Sequence, residues 1–270
     1  MLVKICSMGP AGDIQRIRRP WLCGLAWRLA FSASGFLVPT RAVGDELRDA
    51  GIPPASIHCL RSLFPQAALP AAELPPDPAP DAPVALFVGR LHPDKGLRTL
   101  MAAWPALARS SQWRWVIVGD GPMRQEILDW VAREGLQSSV SLVGYQADPG
   151  PWFQQAAVFV FPSHSESFGN VLVEALLHGC HVLTTAVGVV CDWPVHAPVV
   201  RLPQADHRAW QDALRDWAAL PAEQRARRRR AARAFALEQH HPDAVMNSLH
   251  EVYAKLLGNT LPQPRSGGAG

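Results

Sequence analysis

Apolar and polar positions fall into regular blocks along most of this chain. Val84–Val88, Trp113–Val118, Val140–Val143, Val158–Phe161 and His181–Thr185 are short apolar runs. Runs of this length, rich in β-branched and aromatic residues, predict strands buried on both faces. Between them the spacing predicts helices over about 96–108, 121–133, 152–155 and 169–178. Pro105 is expected to limit or kink the first helix. Gly121-Pro122 puts a proline in the opening turn of the second, and Gly179 follows the last as a C-cap. Strands alternating with helices predict an α/β fold, a Rossmann-like doubly wound parallel sheet. Such sheets collect ligands at the C-terminal ends of their strands.

The first 69 residues are less regular. A helix is expected over 20–31, a strand in GFLVP (35–39), a helix over 41–50 and a short strand in SIHCL (56–60). Trp21, Leu22, Leu25, Ala26, Leu29 and Ala30 recur at helical spacing. That face suits either packing on a sheet or contact with a membrane surface or an acceptor. The apolar stretch Trp21–Val38 carries Arg28 at its centre, which disfavours a spanning helix. Residues 70–83 hold six prolines in fourteen positions, a composition that suits an extended linker and excludes a helix or central strand.

Composition narrows the reading. The chain has 270 residues, 48% of them apolar, with a net charge of +3, so disorder is excluded as the main description. Five cysteines stand without a CxxC pair, which suits a reducing compartment. The N-terminus lacks the order of a secretory signal, and the expected location is cytoplasmic. Lysine is scarce: Lys4, Lys95 and Lys255 are the full set, and the other basic residues are arginine. Six arginines cluster between Arg225 and Arg233 on an expected helix over 221–239. Removing them turns the net charge negative, so the basic balance is local rather than a property of the whole surface. A solvated helix face, attraction to anionic lipid at the inner face of a membrane, and RNA are the three readings of that cluster. RNA is disfavoured because no aromatic residues interleave the run.

The strand ends carry the chemistry. After the first strand of the regular region comes Gly89-Arg90-Leu91-His92-Pro93-Asp94-Lys95-Gly96. A guanidinium offers a planar fork to phosphate and an ammonium a point charge. Gly119-Asp120-Gly121 follows the second strand, but Arg124 stands where a dinucleotide fingerprint needs its third glycine, so a nicotinamide or flavin cofactor is not expected. After the fourth strand comes PSHSESFGNVLVEALLHG (162–179). Gly169 and Asn170 open a helix whose N–H groups and dipole favour phosphate. Glu166 precedes that helix, and Glu174 lies inside it among apolar residues, where a carboxylate is either paired or turned towards a polar ligand.

Taken in order and spacing, GRLHPDKG (89–96), VGDGP (118–122), VSLVGY (140–145) and the 162–179 segment resemble the C-terminal half of a retaining GT-B glycosyltransferase of the family-4 type, the glycosyl transferases group 1. Glu166 and Glu174 match that family's E-x7-E signature. The resemblance covers roughly 83–200, and more weakly 35–60 and 240–257. It implies a UDP- or GDP-linked sugar donor, a glycan or lipid-linked acceptor, retention of configuration, and a role in polysaccharide biosynthesis. It implies that Arg90 and Lys95 hold the diphosphate and, with Glu166, act in catalysis. Glu174 would bind the ribose, Glu166 the donor sugar, and the backbone near Gly144 and Tyr145 would border the base. Gly89, Phe168, Gly169, Asn170 and Val171 would complete the donor site. No cofactor or metal is implied, since cationic side chains and a helix end take the metal's part.

The resemblance also implies an organisation. Residues 1–69 would be a partial acceptor-side domain, 70–83 a linker, 84–239 the nucleotide-sugar domain, 240–257 a crossover helix and 258–270 a flexible tail. Most of an N-terminal Rossmann-like domain would be missing, which leaves a truncated nucleotide-sugar-binding module or partner subunit as the alternative to an enzyme. Phe36 and Leu37 would then lack sheet neighbours. After the strand at 181–185, Val187-Gly188-Val189-Val190-Cys191-Asp192 replaces the family's Gly-Gly-x-x-Glu stretch.

Overall fold

The computed structural model describes residues 2–5, 33–60, 74 and 82–257. The helix expected over 20–31, most of the 70–83 linker and the 258–270 tail lie outside the described residues. The chain divides into two compact units, residues 1–66 with 240–270, and residues 67–239.

In the first unit, β1 (Leu2–Lys4), β2 (Gly35–Val38) and β3 (Ile57–Cys59) form a parallel sheet in the order β1-β2-β3. The expectation that Phe36 and Leu37 lack sheet neighbours is overturned. Phe36 pairs with Val3 on one side and Ile57 on the other, and Leu37 with Lys4 and His58. The N-terminal Leu2-Val3-Lys4 run supplies the missing edge; three residues are too short for periodicity to announce a strand. Helix α1 (Arg41–Asp49) is capped by Thr40, whose hydroxyl accepts from Val43 N. Its Val43 and Leu47 bury against Ile5, Phe36, Val38 and Ile52.

The second unit is built on six parallel strands: β4 (Val84–Val88), β5 (Arg114–Val118), β6 (Val140–Gly144), β7 (Val158–Phe161), β8 (His181–Thr184) and β9 (Val199–Arg201). Their order is β6-β5-β4-β7-β8-β9. The chain steps outwards from β4 to β6, then returns to β4's other side and steps out again. This is the doubly wound Rossmann order, and its switch point lies between β4 and β7. β7 is wholly buried; its Phe161 stacks with Phe87 of β4 and with Phe159 of its own strand. Such continuous burial is why these strands read as apolar runs.

The connecting helices are α2 (Leu97–Ser110), α3 (Arg124–Glu134), α4 (Gly150–Gln155), α5 (Asn170–Leu177) and α6 (His207–Ala218). Helix α2 runs through Pro105 to Ser110, two residues past its expected end. The helix buries Leu97, Leu100, Ala103, Trp104 and Leu107, and this face outweighs the hydrogen bond that a proline forfeits. Helix α3 starts later than expected. Gly121-Pro122 forms a turn closed by Arg124 N donating to Gly121 O at 3.0 Å, and the helix begins beyond it. Strand β9 and helix α6 had no counterpart in the sequence reading.

Helix α7 (Ala222–His240) carries the arginine cluster, and α8 (Pro242–Leu257) belongs with the first unit. The arginines do not share one environment. Arg225 and Arg229 are buried, as are Ala232 and Ala236, whereas Arg227, Arg228 and Arg230 are exposed. Arg225 lies 5.3 Å over the Trp217 ring and donates to Leu220 O at 2.7 Å. Part of the cluster therefore serves packing, with aliphatic stems covering apolar surface. Among the described residues, no helix is long and apolar enough to cross a membrane.

Candidate functional site

Two loops meet at the switch point, one after β4 (residues 89–96) and one after β7 (residues 162–169). They are joined first through the backbone. His164 N donates to Asp94 O at 2.7 Å, and the Ser163 hydroxyl lies 3.2 Å from the same oxygen. Gly96 adopts φ +65° with Pro162 O directly against it. Only glycine satisfies both the left-handed backbone and that approach.

This joining brings together side chains 71 positions apart in sequence. Lys95 Nζ donates to Glu166 Oε1 at 2.6 Å, with the two side chains 17% and 14% exposed. The buried Ser163 hydroxyl is 3.0 Å from the same Oε1. Glu166 Oε2 takes no partner among the described residues. Lys95 has three donors and gives one here, leaving two for other acceptors.

The remaining expected residues stand around this pair. Arg90 is exposed and its guanidinium has no ion pair among the described residues. Gly89 is held in place by N–H donation to Val118 O at 3.0 Å. Gly169 caps α5, and Asn170 and Val171 form its first turn, whose N–H groups lack intrahelical acceptors. Phe168 is buried, and its carbonyl accepts from Val189 N at 2.8 Å. Glu174 is half-buried, its side chain makes no hydrogen bond or ion pair among the described residues, and burial holds its carboxyl above the ordinary value. It stands outside the Lys95–Glu166 cluster. At the end of β6, Gly144 O accepts from Gly119 N at 2.8 Å, and Tyr145 is 75% exposed. Among the described residues no group of His, Cys, Asp or Glu is placed to hold a metal ion.

Sequence reasoning missed the support behind the pair. The 3₁₀ turn Gly188–Cys191 packs against it so closely that a Cβ at Gly188 would lie 2.3 Å from Phe168 O and 2.9 Å from Glu166 Cβ. Arg201, at the end of β9, holds this turn and the loop beyond it. Its guanidinium nitrogens lie 3.0–3.3 Å from the carbonyls of Val190, Trp193, Pro194 and Val195. Ser163, too, had no role assigned to it. A serine directly after a strand-ending proline was the available signal.

Residues 82–219, just over half the chain, match the profile of the family described as glycosyl transferases group 1. The chain belongs to that family. Among its members it is 32% identical, over 149 residues, to the phosphatidylinositol N-acetylglucosaminyltransferase gpi3 subunit of Schizosaccharomyces pombe; the match covers 53% of this chain and 33% of the yeast protein. It is 33% identical over 109 residues to the lipopolysaccharide core biosynthesis glycosyltransferase LpsE of Rhizobium meliloti, covering 40% of this chain and 31% of that one. These matches span about a third of the relatives' own length. The fold of this family member is similar to that of Anabaena HepE in complex with UDP and glucose, with a TM-score of 0.78 at 18% identity, over 94% of this chain and 71% of that one.

Proposed function

We propose that this group 1 family member binds a nucleoside diphosphate sugar at the β4–β7 switch point and transfers the sugar, with retention of configuration, to a glycan or lipid-linked acceptor. The observation that carries the reading is the Lys95–Glu166 pair, set between two loops tied backbone to backbone, with an exposed guanidinium at Arg90 and a helix N-terminus at Asn170. The complex of HepE with UDP and glucose supports the ligand class.

In this reading Lys95 and Arg90 neutralise the charge that develops on the leaving diphosphate. Preorganised cations and N–H dipoles at such a place are commonly a large part of catalysis. The first-turn amides of α5 add to them. Glu166 Oε2 accepts from hydroxyls of the donor sugar. Glu174, a carboxylate without a partner among the described residues, accepts from the ribose hydroxyls. The backbone at Gly144 and Tyr145 borders the base. Arg228 and Arg230 are exposed arginines of α7 that would contact an anionic membrane surface, while Arg227 is paired with Glu223 at 2.7 Å.

Calorimetric titration with UDP and GDP tests the site. Lys95→Ala and Glu174→Ala are each expected to weaken binding by about 1–3 kcal/mol, the scale of a charged hydrogen bond lost at a desolvated position. Unchanged affinity in both variants would overturn the assignment.

A further inference from the structure

The Lys95–Glu166 pair sets a carboxylate against the ammonium that the proposed function assigns to the diphosphate. Glu166 and a terminal phosphate thus share one cation. The two side chains differ in freedom. Lys95 has a four-carbon stem and swings readily. Glu166 is backed at its Cβ by Gly188, is hydrogen-bonded by Ser163, and precedes a helix whose entry is tied through Phe168 O to Val189 N. The negative charge of Glu166 therefore stays where it is.

That fixed charge treats two related ligands differently. A free nucleoside diphosphate ends in a terminal phosphate whose second ionisation has a pKa of about 6, so at neutral pH it carries nearly one more negative charge than the phosphodiester of a sugar-linked donor. The extra charge is repelled by Glu166 and meets a Lys95 ammonium whose charge that carboxylate already offsets. A sugar at the same place presents hydroxyl donors, which a carboxylate accepts.

We propose that Glu166 is a specificity-determining residue that discriminates against the free nucleoside diphosphate in favour of the sugar-linked donor, and so favours release of the nucleotide product. The inference rests on the donor-site reading given above. It assigns the Lys95–Glu166 pair an effect opposite in sign for product and donor. Removing the carboxylate's charge tightens one ligand and not the other.

The test is calorimetric binding to wild type and Glu166→Gln, with thermal unfolding of both to establish folding. UDP is compared with UDP-glucose, and GDP with GDP-mannose, using whichever nucleotide wild type binds more tightly. Glu166→Gln is expected to bind the free diphosphate about fivefold more tightly, the upper end of what one solvent-screened charge pair contributes, and the sugar nucleotide no more tightly than wild type. A ligand-side arm needs no variant: the β-methyl ester of the diphosphate lacks the extra charge and is expected to bind wild type more tightly than the diphosphate itself. Free diphosphate that binds Glu166→Gln no better than wild type, equal shifts for both ligands, or a methyl ester weaker than the diphosphate would each overturn the proposal while leaving the donor site standing. Failure of wild type to bind any of the four nucleotides would overturn the donor-site reading, and this inference with it.

Discussion

Gly96 lies so close to Pro162 that a Cβ at position 96 would stand 2.0 Å from the Pro162 carbonyl oxygen. The two residues close the loops after β4 and β7 onto each other, and Lys95 and Glu166 owe their meeting to that closure. Gly135, at the C-terminus of α3, has the same φ of +65° but no atom within 4 Å of an added Cβ. The pair separates backbone strain from steric approach. Gly135→Ala is expected to cost about 1–2 kcal/mol, the left-handed penalty alone. Gly96→Ala is expected to cost more, about 2–4 kcal/mol, and to weaken UDP or GDP binding as well. Denaturant unfolding and calorimetry read both. Equal losses in the two variants would show that the loop approach carries no weight.

Arg201 links strand β9 to the loop that backs Glu166 and Phe168. Removing it frees Val190, Trp193, Pro194 and Val195 carbonyls at once. Arg201→Ala is expected to lower stability by about 1–2 kcal/mol and to raise amide hydrogen exchange across 188–195. Nucleotide affinity falls with it because the turn behind Glu166 loosens. Arg201→Lys keeps the charge but not the planar fork, and is expected to recover little. Unchanged exchange in Arg201→Ala would remove Arg201 from the support of the site.

Glu174 is a half-buried carboxylate whose carboxyl is held above its ordinary value by burial. The folded chain then holds that proton more tightly than the unfolded chain does. The corresponding stability is fully present below the ordinary carboxylate range and is lost as pH rises through the raised value. Glu174→Gln is therefore expected to raise Tm by a few degrees at pH 7 and to leave it unchanged at pH 4, measured without nucleotide. A lower Tm at pH 7 would mean that the carboxylate stabilises the fold rather than waiting for a ligand.

His181 opens β8 in a buried position, and its pKa is lowered from 6.5 to about 4, chiefly by desolvation and then by the charge of Arg228. Here the folded chain holds the proton less tightly than the unfolded chain. Stability is complete above pH 6.5 and is lost as pH falls towards about 4. The loss is on the order of 3 kcal/mol, from the size of the shift. His181→Leu is expected to flatten this acid limb of the stability profile. An acid limb of unchanged depth in that variant would assign it to other groups.

Much of the second unit was legible in the chain. Its strands are buried on both faces, so they are written as short apolar runs, and the glycines and charges that follow β4 and β7 mark the strand ends. The edge elements were harder to see. β1 and β9 span three residues each, and no period can be counted over so few positions. Pro105 and the arginine helix were hard to read for a different reason. Propensity and charge describe a residue alone, while burial of the neighbouring Trp104 and Leu107, or of Arg225 against Trp217, is decided by what lies opposite.

The sequence by itself determined the alternation of strands and helices from β4 to β8, the family, and which residues carry charge at the strand ends. It also put Glu166 and Glu174 on the two sides of a helix start. Tertiary structure alone decided that Lys95 and Glu166 meet, that Ser163 shares their oxygen, that Glu174 has no partner among the described residues, and that Arg201 backs the site from the far strand. These depend on crossovers that bring distant strands side by side, and the crossing order is set by packing of the whole sheet rather than by any local pattern.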